Sequence, residues 1–64
     1  MHQDRFREAI GEAYADAIKD VWGVYFEALQ VADQETERAK AYERFMAAIA
    51  IAQEAHETAL EAVV

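Results

Sequence analysis

Proline, cysteine, serine and asparagine are all missing from this 64-residue chain, and glycine occurs only as Gly11 and Gly23. Those absences remove almost every strong turn former and helix breaker, which leaves the chain free to form long helices. Without cysteine there is neither a disulfide framework nor a thiolate metal site. Small domains often need such staples, because one core contributes little stability at this size. Oligomerisation or a partner is therefore expected to replace them. No basic, apolar leader opens the chain, and the longest apolar run, "FMAAIAIA" at 45–52, is far too short to span a bilayer. A soluble, cytoplasmic protein is the expectation.

Basic residues are also scarce, 6 against 13 acidic ones, giving a net charge of −7. That balance disfavours nucleic acid, where neutralisation of phosphates by Lys and Arg dominates affinity, and it equally disfavours anionic membranes. It favours solubility and attraction to a basic partner. A hydrophobic content of 55% argues against disorder.

What remains is a helical vocabulary: fifteen alanines with Glu, Ile, Leu, Lys, Arg and aromatics. In the first half, Phe6, Ile10, Ala13, Tyr14, Ala17, Ile18, Val21, Tyr25, Ala28, Leu29 and Ala32 recur at steps of three and four, the pattern of an amphipathic helix. Asp4 is placed to cap it or to complement its positive end. Gly23 reads as a tolerated mid-helix glycine that lets another backbone approach. The second half has a heptad seam of Tyr42, Phe45, Ile49, Ala52, His56, Ala59 and Val63, with Leu60 beside it. Between them Asp33 is a good N-cap, with Glu35 and Glu37 early in the next helix.

The expected architecture is all-α, a single domain over 1–64. It consists of a helix at about 4–31, a turn at about 31–34 and a helix at about 34–64, folded as an antiparallel hairpin. Pairing across the turn places residues whose numbers add to about 65 opposite one another. Tyr42 and Phe45 then meet Val21 to Val24, and His56 lies among Phe6, Ile10 and their neighbours. Trp22 and Phe26 fall beside the first stripe and Ile51 off the second. These surplus apolar groups predict another interface, either a homodimer forming a four-helix bundle or a contact with a foreign partner.

The two-helix layout and the acidic turn "VADQETE" resemble the Rop family of plasmid RNA-binding proteins. The resemblance implies a hairpin that dimerises into a bundle, and an RNA-binding regulator. The basic RNA-facing residues such a function needs are not evident in this chain.

Catalytic chemistry is poorly represented. Thr36, Thr58, His2 and His56 offer no credible triad. A carboxylate-bridged metal pair needs inward Glu-x-x-His motifs, yet Gln53 stands three residues before His56. No enzyme activity, cofactor or metal is expected. His56, the polar residue on the seam, reads as a core or register-setting histidine satisfied by a hydroxyl such as that of Tyr14; the sharper alternative is a pH switch. The aromatics Trp22, Tyr25, Phe26, Tyr42 and Phe45 read as core at the turn end. Arg38, Lys40 and Arg44 read as a solvated face paired with Glu35, Glu37 and Glu43.

The most unusual feature is the acidic ladder Asp4, Glu8, Glu12, Asp16 and Asp20, at a strict spacing of four. Like charges one turn apart repel by about 0.2–0.5 kcal/mol per pair, roughly 1–2 kcal/mol in all. Arg5 and Lys19 offset part of this, and salt screens more. One reading is a solvated face that keeps an apolar oligomer soluble. The other is recognition of a basic surface. The row drifts by about 40° per step, so its carboxylates curl somewhat as phosphates follow a nucleic-acid strand. Glu54, Glu57 and Glu61 extend the acidic surface at the same end. This is similar in kind to nucleic-acid mimics among the small acidic inhibitors of phages, such as anti-CRISPR proteins. The function expected is that of a non-enzymatic interaction module or inhibitor that docks on a basic, nucleic-acid-binding partner, with Trp22 and Phe26 anchoring the apolar contact. The alternatives are a self-assembling bundle subunit and a Rop-like RNA binder.

Overall fold

In the computed structural model, which describes residues 2–63 and side chains from Asp4 to Val63, the chain forms two α-helices, α1 (His2–Val31) and α2 (Glu35–Val63). They pack against each other as an antiparallel hairpin. Helices of 30 and 29 residues are each about 45 Å long at 1.5 Å per residue, in keeping with a Cα trace extending over 51 × 15 × 7 Å. Val64, and the side chain of His2 named among the possible catalytic groups, lie outside the described residues.

The loop is only Ala32, Asp33 and Gln34, and no residue in it takes a positive φ. Its closure differs from the expected Asp33 cap. The Gln34 carbonyl accepts bonds from the backbone N–H groups of Glu37 and Arg38, each at 3.1 Å, so Gln34 occupies the cap position. Asp33 contributes its backbone N–H, which donates to Glu37 Oε2 at 3.1 Å. The Glu37 side chain thus ties the loop to the start of α2, reaching one residue further back than the acidic member of a capping box, which bonds the cap's own N–H. At the other end, α1 begins before Asp4, so Asp4 sits within the first turn and complements the helix dipole rather than capping it.

Each helix buries one seam against the other. Along α1 and into the loop it is Ile10, Tyr14, Ala17, Val21, Tyr25, Ala28 and Ala32; in α2 it is Ala41, Phe45, Ala48, Ala52, His56, Ala59 and Val63. Steps of 4, 3, 4, 4, 3, 4 repeat in both. Three expected core positions fail. Phe6 is 60% exposed, and Tyr42, at 52%, yields its place to Ala41. At the line of closest approach a small side chain lets the backbones come together, whereas a tyrosine there would hold them apart. Ala13 is exposed as well.

The register also differs from the expectation. His56 meets Tyr14, with ring centroids 4.5 Å apart, and Phe45 stacks on Tyr25 at 4.6 Å. Both partners on α1 lie about five residues, roughly 1.4 helical turns, nearer the loop than the fold-back expected from the sequence. Side chains lean toward the N-terminus of their own helix, so the residue covering a given point lies about one position further along each chain. In an antiparallel pair the two displacements add, which accounts for about two of the five residues.

Candidate protein-interaction surfaces

Only Ala41, at 7% exposure, is buried among the described residues. The rest of the seam is half-buried, because a lone pair of helices covers one stripe of each and leaves both broad faces open. Total accessible surface is 5319 Å², against about 4,100 Å² for a compact monomer of this mass. The radius of gyration is 15.0 Å, where a compact chain of this length has about 11 Å.

The two faces follow from the seam. A residue one position before a seam residue turns about 100° one way, and one position after turns about 100° the other. In an antiparallel pair, the preceding positions of both helices share one face. The structure carries this through: Asp20 and Val24 from α1 and Arg44 from α2 line a single groove of about 280 Å³, floored by Tyr25, Ala41 and Phe45. The following positions therefore share the opposite face. They are Gly11, Ala15, Ile18, Trp22, Phe26 and Leu29 on α1, and Tyr42, Met46, Ile49, Gln53, Glu57 and Leu60 on α2.

That second face is the more apolar. Trp22 and Phe26 stack along α1 with centroids 5.0 Å apart and planes 9° from parallel, yet they remain 54% and 45% exposed. Tyr42 packs edge-on against Tyr25 at 6.4 Å and, with Met46, continues the exposed patch onto α2. The expected aromatic core at the loop end is thus divided. Tyr25 and Phe45 lie between the helices, while Trp22, Phe26 and Tyr42 face outward.

All five ladder residues are exposed. The ladder starts beside the apolar face, runs over the outer edge of α1 and ends with Asp20 on the rim of the opposite groove. Glu54, Glu57 and Glu61 are also exposed, but Glu54 and Glu61 occupy the outer edge of α2 and Glu57 lies where that edge meets the apolar face. They therefore point away from the ladder instead of extending it, because both rows lie opposite the seam of their own helix.

His56 uses its ring and not a hydroxyl partner: it lies 34° from the plane of Tyr14 in a half-buried, alanine-lined stretch with Ile10, Ala17 and Ala52. Gly23 has no atom within 4 Å of where a Cβ would stand, so it admits no close backbone within the chain. Among the described residues no three His, Cys, Asp or Glu side chains gather to hold a metal ion, and no helix is long and apolar enough to cross a membrane. Periodicity alone did not reveal Ala41 and Ala48 as seam residues. The usable signal was their size, since small residues mark closest approach. No family model matches the chain, and no curated protein or solved structure is detectably similar to it.

Proposed function

We propose that this chain is a non-enzymatic interaction module. Its apolar face is covered by self-association into a four-helix bundle, and its acidic ladder meets a basic partner surface of the kind that binds nucleic acid. The observation that carries the reading is the division of the molecule into apolar faces and charged edges. Exposed Trp22, Phe26, Tyr42 and Met46 share one face, while Glu8, Glu12 and Asp16 occupy the outer edge of α1. A contiguous exposed apolar patch of this kind marks an interaction site. The carboxylates on the edge stay in water when the face is covered, available to a second, electrostatic contact.

The test is capture of basic proteins from host lysate by the wild-type chain and by a Glu8→Gln, Glu12→Gln, Asp16→Asn variant. Asp20 is left intact because it lines the groove. The wild type should retain a basic partner that the variant loses, and about 0.5 M salt should release it by screening. If both retain the same partner, Trp22→Asp should abolish capture and the contact lies on the apolar face. If neither retains anything but itself, the ladder is a solubility coat and the protein is a self-assembling bundle subunit.

A further inference from the structure

The apolar face is graded along its length. On α1 its loop half carries Trp22, Phe26 and Leu29, and its open half Gly11 and Ala15 before the charged end at Asp4, with Ile18 between the halves. A Cβ built on Gly11 would meet nothing within 4 Å, so this hairpin supplies nothing to fill the space above it. We propose that a second copy of this chain covers this face with its loop at the opposite end, laying its Trp22 over Gly11 and Ala15 and receiving the reciprocal contact. The inference rests on the self-association proposed above and specifies its face and direction.

Three observations support the commitment. The first is area: surface in excess of a compact monomer is about 1,200 Å² per chain, so two chains would remove about 2,400 Å², within the range of obligate homodimers. The second is shape. With both loops at one end, Trp22 would meet Tyr42 and Met46 of the second copy, bulk upon bulk, while Gly11 and Ala15 met nothing large. The bundle would splay as a wedge. With loops opposed, Trp22 meets Gly11 and Ile18 meets Ala15, so large meets small across the middle of the face, as dense packing requires, while Phe26 and Leu29 reach the charged end of α1 at Arg7 and Asp4. Full overlap of two such hairpins brings together α1 residues equidistant from the helix centre, and Trp22 and Gly11 stand equally far from the middle of His2–Val31. The third is charge. The loop half of the face is uncharged, the face's charges being Glu57 and, at the open end, Asp4, and the opposed arrangement stacks α1 on α1, which sets the two ladders side by side on one edge of the bundle. That doubles the acidic surface offered to a basic partner.

Residues 11 and 22 lie about 16 Å apart along one straight helix and cannot touch within a chain, so a size-complementation experiment reads only the contact between copies. Self-association is measured by sedimentation equilibrium for the wild type, Gly11→Leu, Trp22→Ala and a one-to-one mixture of the two variants, with helicity followed by circular dichroism. Each variant should dimerise about tenfold or more weakly than the wild type, Gly11→Leu by collision and Trp22→Ala by the hole it leaves. The mixture should recover dimer as a heterodimer. In it the leucine introduced at position 11 of one chain fills the hole left at position 22 of the other, and the remaining Trp22 still lies over the remaining Gly11. Spin labels on Asp33→Cys, unique because the chain has no cysteine, should lie near the 51 Å length of the Cα trace apart. A mixture that stays as weak as its components, or labels within about 25 Å, overturns the proposed face or direction while leaving self-association intact. A wild type that remains a helical monomer at about 100 µM overturns self-association and this inference together.

Discussion

His56 is the polar residue of the seam, and its contact with Tyr14 is between rings. Two half-buried aromatic rings at 4.5 Å contribute about 0.5–1.5 kcal/mol beyond their buried area. His56→Ala should therefore cost about 1–2 kcal/mol, whereas His56→Phe, which keeps the ring and removes polar nitrogens from an alanine-lined stretch, should be neutral or stabilising. Urea midpoints at one fixed chain concentration decide the matter. A His56→Phe variant as damaged as His56→Ala would mean that a ring nitrogen, and not the stack, holds the position. Gly23 gives a second test at this scale. It is helical, has no positive φ and has open space where a Cβ would go. Gly23→Ala should therefore stabilise the chain by about 0.5–1 kcal/mol through helix propensity alone. A Gly23→Ala variant less stable than the wild type in the same urea titration would mean that another backbone approaches there in the assembled form.

The loop is the element on which the hairpin depends, and with three residues and no glycine it has few ways to close. Glu37 gives its carboxylate to the Asp33 N–H, and Glu37→Ala should cost about 0.5–1.5 kcal/mol. Glu37→Gln should recover most of that because an amide oxygen also accepts. Equal losses in thermal melts of the two variants would show that the charge at the start of α2 matters and the bond does not. The loop also marks how far the sequence could be read. Helicity and the fold-back were legible, because nothing between residues 2 and 31 breaks a helix and the apolar period pauses only near Asp33. The phase of α2 was not. Ala41 and Ala48 follow the same seven-residue interval as Tyr42 and Ile49, so both stripes are apolar and periodicity cannot choose between them. Hydrophobicity favours the tyrosine, and the geometry of two close backbones favours the alanine. The ladder was legible as a row, but where it ends was not. Its drift around α1 carries Asp20 to the groove rim, and only the position of the seam fixes that.

For the molecule as a whole, one buried alanine cannot offset the conformational entropy of ordering two 45 Å helices, which costs about 1–2 kcal/mol for each backbone residue fixed. Under the proposed self-association, further stability comes from surface that a single chain leaves open, which would make it a function of concentration. A folded unit of two chains unfolds with an enthalpy of about 0.7 kcal/mol per residue near 60 °C, or roughly 90 kcal/mol for two chains of 64 residues. For dissociation coupled to unfolding, that enthalpy sets a rise in melting temperature of about 5–6 °C per tenfold increase in chain concentration. A hairpin stable by itself shows no rise. Salt separates the two contacts further. Ladders brought onto one edge repel, so added salt should raise the melting temperature of the bundle, while the same screening should loosen a basic partner bound to that edge. Melts by circular dichroism at about 5, 50 and 500 µM, each at low and high salt, measure both effects. A melting temperature independent of concentration would place all the stability within one chain, and the open apolar face would then have to serve a foreign partner instead of a second copy.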